Sequence, residues 1–308
     1  MKQTILIVNI VGFMFALNAC KQPQTKNNEL SGQGSSLLWR ISGNGLTTES
    51  YLYGTIHIQD KRVFEFGDTV RNIFEDAEII AVEVELDMID YQTAIENTLM
   101  KDSVLTQLVT PEEYQFLESK YKELTGASLK TANRVKPFFL SANIINSLIN
   151  KDAPAPLDIF FIKEARKNNK IVVGLETFYE QIATIDELSY SQQAKLLLES
   201  LTDSTDIKES FDKLLDAYLK MNDSMILELT SDPSLPKEFM DKIVLERNYL
   251  MTDRLLPLLP KGKVFIAVGA AHLFDNEGII NLLRKKGYDV TPVPFQFGEL
   301  INLTDSLY

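Results

Sequence analysis

Two stretches of this chain repeat one hydrophobic pattern. Residues 50–56 and 263–268 are apolar runs of strand length, and each leads into glycine-x-x-histidine: Gly54-Thr55-Ile56-His57 and Gly269-Ala270-Ala271-His272. Each run is followed by a loop, an amphipathic stretch with helical spacing (residues 69–77 and 276–286) and a second strand-like run (79–85 and 288–293). Such self-similarity reads as an internal duplication. Upstream, residues 37–42 and 50–56 flank Gly43-Asn44-Gly45, a strong turn signal, and predict a β-hairpin with Tyr51 and Tyr53 alternating along its second strand.

Between the two copies the periodicity is helical, over residues 111–125, 137–149, 157–168, 191–201, 207–219 and 236–256. One β-branched run interrupts it, Ile171-Val172-Val173 closed by Gly174, and predicts a further strand near 170–175 with Glu176 just beyond. Short Pro and Gly stretches at 152–156 and 259–262 read as turns, too short for linkers. The pattern predicts an α/β protein. Its mixed sheet is expected to comprise two related strand-GxxH-helix-strand halves, with a helical insertion over roughly 88–260. A single domain over 37–308 is the economical reading.

The amino-terminal pattern changes the picture of where such a domain sits. One basic residue, Lys2, precedes an apolar stretch from Ile5 to Leu17, shorter than a membrane span requires, and then comes Leu17-Asn18-Ala19-Cys20. This reads as a lipoprotein signal peptide over 1–19, with Cys20 as the lipidated residue and a Gln, Asn, Ser and Gly rich tether over 20–36. The expected location is exported and membrane-attached through lipid, on the periplasmic or cell-surface side. Cys20 is the only cysteine, so no disulfide staples the fold. Lys and Arg number 31 against 43 Asp and Glu, a balance that argues against a nucleic-acid partner and against charge-driven adhesion to anionic headgroups.

The chain has only 2 histidines and 14 glycines in 308 residues. A histidine would follow a glycine at this spacing by chance in about one case in twenty, so both doing so points to a single divided site. On residues 79–86 strand alternation places Glu83 and Glu85 on one face, opposite Val82 and Val84. Two imidazoles and one carboxylate form a workable divalent-metal set that leaves positions for water and substrate. Glu176 either completes the constellation from a neighbouring strand end or caps the next segment of chain. Arg247, in Glu246-Arg247-Asn248, reads equally as a clamp for a carboxylate or developing oxyanion and as an exposed helix charge. Asp158, opening a helix after Pro156, is explained by the helix dipole. No G-x-S-x-G elbow, P-loop, H-E-x-x-H or dinucleotide fingerprint is present.

These residues resemble the TraB/GumN family, related to the Tiki metalloproteases. The match spans about residues 37–293 and is carried by Trp39-Arg40-Ile41-Ser42-Gly43, Tyr53-Gly54-Thr55-Ile56-His57, Val82-Glu83-Val84-Glu85, Val173-Gly174-Leu175-Glu176-Thr177 with Glu180-Gln181, Glu246-Arg247-Asn248 and Ala267-Val268-Gly269-Ala270-Ala271-His272. The resemblance implies that His57, His272 and Glu83 form the metal-site or catalytic set, with Arg247 in support and Glu85 standing where relatives more often have aspartate. It implies metal-dependent hydrolysis of peptides, with manganese or cobalt favoured and zinc admissible. The expected activity is therefore that of a lipid-anchored metallohydrolase acting on a peptide or small-molecule substrate. Two alternatives stay open: metal-free His/Glu hydrolysis, as in the erythromycin esterases, and haem or ligand binding, as in ChaN-like proteins, with Tyr53 as a candidate iron ligand.

Overall fold

The computed structural model describes residues 36–202, 207–231 and 235–298. The signal-peptide reading, Cys20 and nearly all of the tether lie outside them. The framework is one six-stranded mixed sheet wrapped by helices, an α/β architecture. The strands are β1 (Leu38–Gly43), β2 (Ser50–Thr55), β3 (Ile79–Val82), β4 (Ile171–Gly174), β5 (Val264–Gly269) and β6 (Tyr288–Pro292), in the spatial order β4-β3-β5-β2-β1-β6. The predicted hairpin forms, with Leu38 opposite Tyr53 and Ile41 opposite Ser50. Its turn carries three consecutive residues at positive φ, Gly43, Asn44 and Gly45, conformations that glycine and asparagine adopt at little cost.

β4, β3, β5 and β2 run parallel to one another, and β1 joins β2 and β6 in antiparallel pairs. β3 and β5 are buried along their whole length, which is why each reads as an unbroken apolar run (Ile79-Ile80-Ala81-Val82, Val264-Phe265-Ile266-Ala267-Val268) and not as an alternation. An aromatic cluster of Tyr53, Phe66, Phe74, Phe161 and Phe265 packs around the sheet centre.

The helices are α1 (Gly67–Asp76), α2 (Tyr91–Thr98), α3 (Pro111–Thr125), α4 (Pro137–Leu148), α5 (Leu157–Lys167), α6 (Phe178–Ile185), α7 (Tyr190–Thr202), α8 (Ile207–Leu219), α9 (Asp223–Thr230), α10 (Lys237–Met240), α11 (Arg247–Leu255) and α12 (Ile279–Lys285). α10 and α11 are joined by a π-helical turn, Asp241–Glu246, where the expected single helix over 236–256 would have been regular. The short helices α2, α6 and α9 escape a periodicity reading because eight residues give barely two turns of pattern.

The two GxxH strands, β2 and β5, are direct neighbours, registered so that Gly54 faces Val268 and Thr55 faces Gly269. The units that come after them take inequivalent places. The chain from β2 crosses β5 and enters the sheet parallel to it as β3, whereas the chain from β5 crosses β2 and β1 and ends on the sheet edge as β6, antiparallel to β1. Connections that leave adjacent parallel strands in opposite lateral directions open a crevice at the strands' carboxyl ends.

Candidate functional site

Four successive parallel strands deliver one site residue each at that crevice. His57 follows β2, His272 follows β5, Glu83 follows β3 and Glu176 follows β4. The glycines of the two motifs have ordinary work to do and differ in kind. A Cβ on Gly54 would come within 3.0 to 3.2 Å of Leu273 and Ala270, so this glycine lets the second motif's turn settle on the first strand. A Cβ on Gly269 would sit 3.0 Å from Glu83 Oε1, 3.6 Å from the His272 ring and 3.7 Å from His57 Nε2. Gly269 therefore clears the space in which the three side chains meet, and its N–H donates to Glu83 Oε1 at 2.6 Å.

His57 Nε2 and His272 Nε2 lie 3.8 and 4.0 Å from that same oxygen, Glu83 Oε1. The far nitrogen of each ring is held by the protein. His57 Nδ1 meets Asp158 Oδ2 at 2.5 Å, and His272 Nδ1 meets Asn248 Oδ1 at 2.6 Å. Asp158 in turn accepts the Thr55 hydroxyl proton at 2.6 Å. Glu83 Oε2 accepts from Arg247 Nη2 at 2.8 Å and from the Gln181 amide at 3.4 Å, and Arg247 closes on Glu176 through Nε and Nη2 at 2.7 to 3.0 Å. All of these groups are buried except His57, whose side chain keeps 16% of its exposure and so marks the way in.

Burial and charge make the two imidazoles unlike. Burial by itself would lower the pKa of His57, but Asp158, through its charge and its hydrogen bond, and Glu83 outweigh it and lift the value to about 9. His272 Nδ1 meets a neutral amide where His57 meets a carboxylate; burial, then the neighbouring Arg247, pull it down to about 3 against the raising effect of Glu83. Burial would push the Glu83 carboxyl up, yet His272, Arg247, His57 and the Gly269 N–H hold it at about 2. A carboxylate so stabilised is a weak proton acceptor and a good fixed ligand or orienting charge. Burial opposes the charge on Arg247 as well, but Glu176 and Glu83 raise its pKa above the ordinary arginine value.

Several sequence-derived expectations need correction. Glu85 does not share a strand face with Glu83, because β3 ends at Val82 and the chain turns, with Leu86 N–H bonding back to Val84 O at 2.9 Å. Alternation stops where the strand stops. Glu85 instead pairs with Arg166 at 2.6 Å and accepts the Gly174 N–H at 3.0 Å, along the β4 edge. Arg247 is no surface charge, nor is it open to clamp a substrate, since its fork is taken up by Glu83, Glu176 and the Ile243 carbonyl. Tyr53 is fully enclosed, stacked on Phe265 with its hydroxyl 3.4 Å from that of Tyr218, which denies it to a haem iron.

Sequence reasoning assigned no site role to three residues that have one. Asp158 does lie in the first turn of α5, but no side chain caps that helix and the carboxylate faces His57. No local pattern ties it to a residue so far back in the chain. Asn248 and Gln181 lie inside two segments that carry the family resemblance, Glu246-Arg247-Asn248 and Glu180-Gln181, and that membership was the available signal. The π turn just ahead of Arg247 inserts a residue into the helical repeat and lets Arg247 and Asn248 both serve the site; such turns concentrate at functional positions.

Among the described residues, no group of three or more His, Cys, Asp or Glu side chains is closed to coordination spacing. Separations of 3.8 and 4.0 Å are still within the span of two ligands each about 2.1 Å from a common ion. Both outer partners, a carboxylate and an amide oxygen on the Nδ1 atoms, are of the kind that orient metal-binding histidines. The buried carboxylates Glu83, Asp158 and Glu176 also outnumber the guanidinium of Arg247. In donor type, support and charge the residues fit a divalent cation.

Comparison with known proteins finds relatives named as metalloproteases. The chain is 25% identical to a protein named metalloprotease TIKI homolog from Nematostella vectensis, over 93% of this chain and 74% of that one. It is 26% identical to metalloprotease TIKI1 of Homo sapiens, over 88% of this chain and 65% of that one, and 21% identical to an uncharacterized protein of Treponema pallidum, over 81% and 80%. The chain thus spans slightly less than two thirds of the human relative's length. No solved structure matches it significantly. No helix among the described residues is long and apolar enough to cross a membrane. The model of the TraB/PrgY/gumN family matches residues 37–292, and the chain belongs to that family.

Proposed function

We propose that this chain is a metal-dependent hydrolase acting on peptides, centred on His57, His272 and Glu83. One observation carries the reading: two imidazole Nε2 atoms, brought in by two adjacent strands, converge on one carboxylate oxygen while each ring's Nδ1 is engaged by the protein. His57, His272 and Glu83 would hold the cation, which when bound would supply a polarised water and a Lewis acid for the scissile carbonyl. Arg247 and Gln181 fix the Glu83 carboxylate, Asp158 and Asn248 fix the two rings, and burial of everything but the His57 edge excludes bulk water. The names of the Tiki relatives support the peptidase class; the resemblance favours manganese or cobalt. The amino-terminal pattern up to Cys20 supports attachment of the exported protein to a membrane through lipid.

A metal-free reading has its own observation. The short His57–Asp158 contact makes a dyad in which His57 could act as acid and base without a cation. Metal content and peptide hydrolysis, measured on a soluble fragment beginning at residue 37 and on its His57→Ala and His272→Ala variants, separate the two. Near one equivalent of metal in the parent, little in either variant, and hydrolysis abolished by a chelator support the metal site. Undiminished hydrolysis in chelator, or in folded His57→Ala, overturns it.

A further inference from the structure

The hydrogen bonds behind His272 determine which of its nitrogens carries the proton, and they do so through the backbone of a separate loop. Asn248, 1% exposed, donates its Nδ2–H to the backbone carbonyl of Glu277 at 2.9 Å. A carbonyl oxygen only accepts, so the amide nitrogen must face Glu277 and the amide oxygen must face His272. That oxygen lies 2.6 Å from His272 Nδ1 and also only accepts, so Nδ1 must be the protonated nitrogen. The proton is thereby kept off Nε2, the atom that faces Glu83 Oε1. Turning the amide over would set two donors against each other at Nδ1 or move the proton to Nε2, where it would occupy the lone pair.

We propose that Asn248 is a positioning residue that locks His272 as the Nδ1–H tautomer, and that the Glu277 carbonyl is the fixed point of this lock. The loop is held to match. Tyr249, next to Asn248 on α11, donates its hydroxyl to the Glu277 carboxylate, and Lys285 Nζ reaches the other carboxylate oxygen at 3.0 Å. Asp275, two residues before Glu277, sits at φ +72° with its backbone carbonyl accepting from Asn281 at 2.7 Å. Asp158 does the corresponding work for His57 with a full negative charge, so the two strands present one imidazole backed by an anion and one backed by a neutral amide. The two histidines of the repeated motif thus hold different parts.

The lock rests on the proposed function only for what Nε2 does once it is bare. Its test therefore needs neither metal nor substrate. Long-range ¹⁵N–¹H spectra of the metal-free protein report imidazole tautomers directly, and with two histidines in the chain the His57→Ala variant assigns them. The expected result is His272 wholly as the Nδ1–H form in the parent, shifting to a mixture or to the Nε2–H form in Asn248→Leu and returning to Nδ1–H in Asn248→Asp, which restores an acceptor at that position. A merely structural role for Asn248 would leave the tautomer unchanged. An Nε2–H form in the parent overturns the proposal whether or not any variant folds. So does an unaltered Nδ1–H form in folded Asn248→Leu; should that variant not fold, a loss of Nδ1–H in Asn248→Asp overturns it instead. If the proposed metal site is also correct, Asn248→Leu loses about 10- to 100-fold in metal affinity; if the tautomer shifts and no metal binds even to the parent, the lock stands and the metal reading falls.

Discussion

Replacing Asp158 by asparagine tests the electrostatic core of the site. In the parent, the Asp158 carboxylate 2.5 Å from Nδ1 lifts His57 from 6.5 to about 9 against the opposing effect of burial. At 1.36 kcal/mol per unit this is a preference of about 3 kcal/mol for the charged ring. Asparagine keeps the acceptor for the Thr55 hydroxyl but presents an N–H₂ to Nδ1. The charge that supported the imidazolium is gone, burial is unopposed by it, and the expected pKa falls by about 2.5 units or more, to 6.5 or below. The neutral ring should also take the Nε2–H tautomer, with its proton facing Glu83 Oε1 and its ligating lone pair lost. ¹⁵N NMR titration measures both, since only two imidazoles are present. The activity loss separates the two mechanisms: about 10- to 100-fold if Asp158 orients a metal ligand, and about 10⁴-fold if His57 is a base whose tautomer is now wrong. A His57 pKa that stays near 9 in a folded Asp158→Asn protein would refute the reasoning.

Glu83→Gln should abolish hydrolysis and metal retention, whereas Glu85→Gln, which breaks only a partly exposed pair with Arg166, should retain both; parallel assays giving equal losses would contradict the placement of Glu85 outside the site. Arg247→Met leaves Glu83 and Glu176 buried without their cation and should cost about 3–5 kcal/mol in urea unfolding, and a loss under about 1 kcal/mol would show that the guanidinium is not their main support. The metal-free protein should be most stable near pH 6.5. Because His57 is raised when folded, its contribution is complete below 6.5 and is lost as pH climbs through about 9, and His57→Gln should flatten that alkaline limb. On the acid side, His272 is depressed to about 3 and Glu83 to about 2, so unfolding binds protons there and stability should fall from pH 6.5 downwards; a profile flat between pH 4 and 7 would contradict these assignments.

The strands that build the site were legible along the chain because fully buried parallel strands must be continuously apolar, and β3 and β5 are. The two histidines were legible because each follows a strand-length run three residues after a glycine, and that glycine is required where one motif packs on the other or where Glu83 approaches. What the sequence left open has a common physical cause. Glu83 and Glu85 share a period of two, yet the strand pairing ends at Val82 and the chain then turns back at Val84, so they part, and where that pairing ends depends on β4 and β5 alongside. Asp158 looks the same in sequence whether it serves a helix dipole or an imidazole; the choice is made when α5 packs against the sheet beneath His57. Arg247 changes from a candidate surface charge into the buried centre of a carboxylate pair because strands distant in sequence bring Glu83 and Glu176 within 2.8 Å of it. Local pattern determined the strands and the longer helices, though not the eight-residue helices α2, α6 and α9, and which end of the sheet would carry the chemistry. Tertiary structure alone decided which charges meet, because long-range pairing and burial set electrostatic partners, and neither leaves a periodic trace in the chain.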